Sequence, residues 1–408
     1  MRRVVVTGVG AISPLGSTWE AVEQRLRARE NAVAHILEWD EIEGLGTSLG
    51  VPVTDFTLPE HYTRKQTRSM GRVASMSVRA TELALEQAGL LGDPLLNSGA
   101  VGVSYGSSTG STDAQMEFGK MILHKSTDGL NATTYVRMMS HTAAVNIAVF
   151  FGLTGRVIPT SSACTAGSQG IGYAYEAIRF GMQDLMVAGG GEELCPTQAA
   201  IFDTLYATST RNDEPGLTPR PYDSDRDGLV LGEGACTFVL EEREHALARG
   251  AHIYAELVGF GTNSDGTHVT RPNPDTMARC IAIALEQAAL DGQAIGYVNA
   301  HGTATEFGDI AESNATSTTV RNDVPLSSLK SYIGHTLGAC GSLEAWMAIE
   351  MMNTDWYAPT INLEKVDSRC GEVDYIMDDG RSISNEFIMS NNFAFGGINT
   401  SLIFQRVA

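Results

Sequence analysis

Val157-Ile158-Pro159-Thr160-Ser161-Ser162-Ala163-Cys164-Thr165-Ala166-Gly167-Ser168 is the stretch from which the rest of the chain can be read. Its apolar start reads as a strand ending near Ile158. A turn of small residues follows, and then Ile171, Ala174, Tyr175 and Ile178 recur at helical spacing. Strand, tight turn and helix in that order form the repeating unit of an α/β fold. The turn carries Cys164 at the helix start, where free N–H groups and the helix dipole favour thiolate over thiol. Its small neighbours leave the sulfur open to a substrate. A lone cysteine in such a turn more often packs than reacts, so other residues must decide its role.

Outward from this segment, short apolar runs alternate with helical patterns. Arg3–Thr7, Leu185–Ala188, Thr237–Leu240 and Ile253–Val258 read as strands, and Val73–Leu90 as a helix. Gly189-Gly190-Gly191 reads as a turn after its strand. The polar run Glu241–Gly250 divides the chain into two units, 1–250 and 251–408. Each opens on a strand running into a Gly-x-Gly turn, Val4 to Gly10 in the first and Glu256 to Gly261 in the second, a hint of internal duplication. Gly8-x-Gly10 is not a dinucleotide loop. Ser13 stands where the third glycine belongs, and no acidic residue ends a second strand at the expected distance. There is no Walker loop and no HExxH motif.

The 408 residues carry a formal charge of −20. That balance disfavours nucleic acid, whose binding depends on neutralising phosphates, and anionic membrane surfaces. Ala143–Leu153, the most apolar stretch, is too short to span a bilayer and contains Asn146. Met1–Gly8 is not read as a signal peptide. The six cysteines (164, 195, 236, 280, 340 and 370) show no CxxC spacing, which argues against a disulfide scaffold or a zinc site. The expectation is a reduced cytoplasmic protein with no metal, its cysteines other than Cys164 structural. The few basic residues cluster. His61–Thr81 holds Arg64, Lys65, Arg68, Arg72 and Arg79 without an acid, and a helix would place Arg64, Arg68 and Arg72 on one face.

Two further segments bear on Cys164. Tyr297-Val298-Asn299-Ala300-His301-Gly302-Thr303-Ala304-Thr305 puts a histidine at the end of a buried strand. In Leu326 to Gly341 a strand is expected to end at Lys330, with His335 in a glycine-bracketed turn and Glu344 on the helix beyond. One Cys and two His at strand exits make a reactive set, because such exits gather on one rim of an α/β sheet.

Ser162-Ala163-Cys164, His301-Gly302-Thr303, Lys330-x4-His335-x2-Gly338 and Asn391-Asn392-Phe393-Ala394-Phe395-Gly396-Gly397 together resemble the β-ketoacyl-acyl carrier protein synthases of the thiolase fold, from Val4 to the C-terminus. The branch most similar is that of aryl polyene pathways, on Asp55–Lys65, Ser107–Thr112, Glu192–Pro196 and Asn392–Phe395. Housekeeping relatives usually have Pro where this chain has Glu306, and Asn-Ser-Phe-Gly-Phe where it reads Asn391-Asn392-Phe393-Ala394-Phe395.

The resemblance implies an α/β, thiolase-like fold of two βαβαβαββ halves in five α-β-α-β-α layers. It also implies decarboxylative condensation of malonyl-carrier with an acyl chain held on Cys164. His301 and His335 would stabilise the enolate, with Lys330 and Glu344 ordering them. The backbone N–H groups of Cys164 and Phe395 would form an oxyanion hole, with Phe395 as gate. Thr303 and Thr305 would bind pantetheine, and Arg64, Lys65 and Arg68 would dock the acyl carrier protein. No cofactor is implied, since substrates ride on the carrier's phosphopantetheine. The implied partner is a ketosynthase-like chain-length subunit or a second copy. Asp309 and Glu312 are read as a hydrogen-bond network in preference to a cation site. A fatty-acid 3-oxoacyl synthase is the alternative. A non-catalytic chain-length subunit is disfavoured by the intact Cys and His, and a thiolase by the lack of a second Cys near Asn391.

Overall fold

The computed structural model describes residues 1–407. Eleven strands form one sheet: β1 (Val4–Ile12), β2 (Val101–Gly106), β3 (Val157–Thr160), β4 (Leu185–Glu192), β5 (Gly234–Glu242), β6 (Ala255–Ser264), β7 (Ile295–Asn299), β8 (Pro325–Ser327), β9 (Asp374–Tyr375), β10 (Phe387–Ala394) and β11 (Ile398–Gln405). Their order is β9-β8-β7-β10-β11-β6-β1-β5-β4-β2-β3. Outward from the centre, β1-β5-β4-β2-β3 and β6-β11-β10-β7-β8 repeat one pattern. The two blocks meet where Val4–Val6 pairs antiparallel with Ala255–Leu257.

Helices Ala166–Arg179 and Cys340–Asn353 pack on each other between the blocks. Arg72–Gln87 and Thr142–Phe151 cover the outer face of the first block, and Pro274–Ala288 with Glu306–Thr319 that of the second. This is the five-layer thiolase-like arrangement that the resemblance implies. The central layer is sealed by an apolar core drawn from both blocks, including Val6, Ile171, Phe238, Leu257, Leu343 and Phe404. Such burial is the main favourable term in folding.

The Gly-x-Gly pairs are not turns. They lie inside β1 and β6, because helices press onto them at backbone distance. A Cβ on Gly10 would stand 2.1 Å from the Ala80 carbonyl oxygen, and one on Gly261 would stand 2.1 Å from that of Cys280. Gly189–Gly191 likewise belongs to β4, since a Cβ on Gly190 would meet the Gly338 oxygen at 2.1 Å. Glycine is used here for close approach, which leaves the same mark in a sequence as a turn.

Two further expectations are corrected. Lys330 does not end a strand; β8 stops at Ser327, and Lys330 opens a helical turn, Lys330–Ile333. Arg64, Arg68 and Arg72 do not share one helix. Arg64–Thr67 is a single capped turn, and Gly71 caps a separate helix beginning at Arg72. Arg72 is tied to the buried Glu233, which leaves Arg64, Lys65 and Arg68 exposed.

Parallel pairing of β2 with β3 and of β7 with β8 brings the ends of β3, β7 and β8 towards the loops that carry Cys164, His301 and His335. The glycine packing predicts that Gly10→Ala costs about 1–3 kcal/mol through overpacking. Gly119→Ala, at a helical site with nothing within 4 Å of the new methyl, should gain roughly 0.5–1 kcal/mol. Urea denaturation of both variants checks this; an unchanged midpoint for Gly10→Ala contradicts it.

Candidate active site

Cys164 lies in a 3₁₀ turn, Ala163–Thr165, between β3 and the central helix. Ala163 sits at φ 51°, a left-handed conformation that a residue with a side chain adopts at a cost of about 1–2 kcal/mol. The other two reactive loops each hold one such residue, Ala304 after His301 and Leu337 after His335. Strained backbone of this kind collects at functional sites, and the sequence gives no sign of it.

The loops converge on a cavity of about 730 Å³ lined by Cys164, His301, His335, Thr303, Thr305 and Phe395 among others. One ring nitrogen of each histidine and the Cys164 sulfur all lie within 4.8 Å of one another. The His335 Nε2 is 3.0 Å from Sγ, while the Leu337 backbone N–H donates to His335 Nδ1 at 3.2 Å. With Nδ1 accepting, the neutral ring carries its proton on Nε2 and points it at the sulfur. The His301 ring stands edge-on to that of His335, with centroids 5.1 Å apart.

Burial, reinforced by the charge of Lys330, holds both histidines well below their ordinary value of 6.5. Lys330 is itself buried, which opposes its charge. Its Nζ contact with Glu344 Oε1 at 2.5 Å outweighs that and leaves it protonated. The second oxygen, Oε2, accepts from Asn392 Nδ2 at 2.9 Å. The helix-start argument for a thiolate does not hold at rest. Burial pushes the Cys164 thiol up to about 11, against the opposing pull of Lys330 and of the Phe395 and Cys164 backbone N–H groups that face its sulfur. Taking a charge out of water outweighs a helix end here.

Asp309 and Glu312 act on backbone. Glu312 accepts from the His301 and Gly302 N–H groups at 2.6 and 2.7 Å, and Asp309 accepts from those of Thr303 and Ala304 at 3.0 and 3.1 Å. Tyr222 supplies a further donor to each carboxylate. Their oxygens are spent in shaping the His301 loop. Thr303 and Thr305 hydroxyls meet at 2.9 Å beside the cavity. Phe395 also borders it, its ring 5.2 Å from that of Phe202. Arg64, Lys65 and Arg68 do not border the cavity; they form a separate exposed patch.

The sequence reading missed Asn392 as a member of the site, although it marked the position as unusual. It read Cys340 as structural only. The Cys340 thiol donates to the Cys164 carbonyl at 3.2 Å, and only its place five residues after His335 hinted at this.

The N-terminal domain of β-ketoacyl synthases matches residues 1–246, and the C-terminal domain of that family matches residues 254–364. The chain is 39% identical over its whole length, and 99% of the relative's, to 3-oxoacyl-[acyl-carrier-protein] synthase 2 of Vibrio cholerae. The crystal structure of a β-ketoacyl synthase from Burkholderia phymatum STM815 superposes with a TM-score of 0.99 at 58% identity, covering all of both chains. The ishigamide ketosynthase/chain length factor matches at 0.91 and 30% identity, again over all of both chains. The chain belongs to the β-ketoacyl synthase family and is a condensing enzyme of the acyltransferase type.

Because both histidines are neutral in the folded protein, the unfolded chain binds more protons below pH 6.5. Their contribution to stability is therefore complete above that pH and is lost as pH falls below it. Malonyl decarboxylation should keep its rate through pH 6.5, with its acid limb lower. A pH–rate profile with a limb at or above 6.5 contradicts this.

Proposed function

We propose that this enzyme extends a carrier-bound, conjugated chain of the aryl polyene kind by two carbons per malonyl unit, working in the cytoplasm. The observation that carries the chemistry is the pair of neutral imidazoles facing one thiol. In the first step Cys164 Sγ attacks the acyl thioester carbonyl. The Cys164 and Phe395 N–H groups hold the oxyanion, and the carrier thiol leaves with the cysteine proton. Thr303 and Thr305 hold the pantetheine arm, and Phe395 gates the acyl side. Malonyl-carrier then binds with its thioester oxygen on the His301 and His335 N–H groups. Its carboxylate departs as CO2 and leaves the electron pair on the α-carbon as an enolate. That carbon attacks the Cys164 thioester, the C–S bond breaks, and the cysteine thiolate takes up one proton from solvent water. Each donor aimed at developing charge is worth on the order of 10²–10³ in rate.

The conjugated substrate is supported by the aryl polyene-like segments and by Glu306 and Asn392 at positions where housekeeping relatives differ. The likeness to the Vibrio cholerae synthase supports a second reading, elongation of saturated chains. Pairing with a chain-length subunit or a second copy is supported by the open edge strand β3 and by exposed Met116, Ile122, Leu123 and Tyr135. Carrier docking on Arg64, Lys65 and Arg68 is supported by their exposure without an ion-pair partner among the described residues.

Intact-mass analysis after incubation with acyl- and malonyl-carrier proteins tests the chemistry. An acyl adduct on Cys164 is expected; its absence from the active complex refutes the assignment. His301→Ala and His335→Ala should each lower malonyl decarboxylation at least about 100-fold while Cys164 still acylates, and full decarboxylation in both overturns the roles. Faster extension of conjugated than of saturated acyl-carriers supports the polyene reading, and the reverse order supports the second. Replacing Arg64, Lys65 and Arg68 by Glu should weaken carrier binding roughly 10-fold at low salt and less at high salt. Unchanged low-salt affinity removes the docking role.

A further inference from the structure

A neutral imidazole has two tautomers, and only one presents an N–H from Nε2. For His335 the Leu337 backbone fixes the choice. His301 Nδ1 has no such backbone partner among the described residues. The group facing its Nδ1 is the side-chain amide of Asn392, with Nδ2 at 3.5 Å. The orientation of that amide is determined by its other contact. Nδ2 lies 2.9 Å from Glu344 Oε2, and a carboxylate accepts from NH2 but is repelled by an amide oxygen. One amide hydrogen therefore goes to Glu344, and the other faces His301 Nδ1 at 3.5 Å with the Cys340 sulfur beside it at 3.7 Å. The opposite end of the amide, Oδ1, lies against Gly341, where a Cβ would stand 2.8 Å away, and accepts no hydrogen bond among the described residues. Asn392 is fully buried at the end of β10, so it has little freedom to choose otherwise.

We propose that Asn392 is a positioning residue, which holds His301 in the tautomer with its proton on Nε2 and links that choice to the Lys330–Glu344 pair. Asn392 stands at one of the positions, with Ala394 and Glu306, where this chain departs from the pattern that the resemblance implies for housekeeping enzymes, which have serine there. A serine hydroxyl has a single hydrogen and a shorter reach, so it cannot donate to both Glu344 and His301. An amide can, through its two N–H bonds. The two histidines then match: each has Nδ1 facing a donor and its proton on Nε2, which in His335 points at the Cys164 sulfur. Pre-orienting that second donor removes the need to select a tautomer as charge develops on the thioester. The inference rests on the role proposed above for His301.

The test compares Asn392→Ala, Asn392→Ser and Asn392→Asp with His301→Ala in the full-length enzyme and its active complex. Two rates are followed, malonyl-carrier decarboxylation and Cys164 acylation. Asn392→Ala should lower kcat for decarboxylation about 10- to 100-fold, by comparison with the loss when the hydrogen-bond partner of a metal-binding histidine is removed. Acylation should stay within about twofold, since it proceeds through the Cys164 sulfur and the Cys164 and Phe395 N–H groups. Asn392→Ser should fall between Asn392→Ala and the parent. In Asn392→Asp the new carboxylate prefers a protonated Nδ1, so the acid limb of the decarboxylation profile should move to higher pH. Lys330, Glu344, Glu312, His335, Cys164 and Cys340 are the charged and titratable groups around His301 and Asn392, and these variants replace none of them. Parent-like decarboxylation in Asn392→Ala and Asn392→Ser, or equal loss of both rates, overturns the inference. Retained decarboxylation in His301→Ala overturns the role of His301 instead, so the two failures are distinguishable. If Asn392→Ala does not fold, Asn392→Ser carries the test, because its small polar side chain keeps a hydrogen-bond donor at this buried position.

Discussion

The ammonium of Lys330, buried and 2.5 Å from a Glu344 oxygen, is the interaction on which the rest of the site depends. An ion taken out of water is tolerated only with a well-placed partner, and losing that partner typically costs about 3–5 kcal/mol. Here the partner is held in turn by Asn392. The resulting fixed positive charge adds to burial in keeping His301 and His335 unprotonated. That matters chemically. An imidazolium beside a nascent enolate would protonate it, whereas a neutral N–H stabilises it and leaves the carbon free to attack.

Bringing these groups together is a packing problem, which the chain solves with small residues. Cys164 comes from the first block and His301, Lys330, His335 and Glu344 from the second. They meet only because two helices fit between the blocks at backbone distance. Gly167 faces the Gly338 carbonyl, and Gly190 faces both. Each glycine in a helix or strand interior costs roughly 0.5–1 kcal/mol of conformational freedom relative to alanine. The gain is a central layer thin enough for the loops of the two blocks to touch. The left-handed Ala163, Ala304 and Leu337 then turn each loop inward, and Asp309 and Glu312 hold one of those turns by its N–H groups.

Much of this was legible in the amino-acid sequence. The α/β alternation, the nucleophile segment and the two histidine segments stand out because residue type and spacing carry their chemistry. Misreadings came where one local pattern serves two physical ends. The glycines at 8–10, 189–191 and 259–261 look like turns, yet they mark helix-on-strand contact, which only the folded partner reveals. Arg64, Arg68 and Arg72 keep helical spacing across a break before Arg72, whose side chain pairs with Glu233. The helix start at Cys164 suggested a thiolate, but burial depends on residues from the whole chain and reverses the shift. Asn392 was visible only as an exception to a familiar motif, because its role depends on Glu344 and His301 meeting in space.

The central claim is that the enzyme works with two neutral imidazoles beside a permanent buried cation. Histidine titration followed by NMR on enzyme labelled with 13C at Cε1 of histidine tests it most directly, with His301→Gln and His335→Gln assigning the signals. Both resonances should keep the shift of the neutral ring as pH falls through 6.5. A midpoint at or above 6.5 for either histidine would contradict the account.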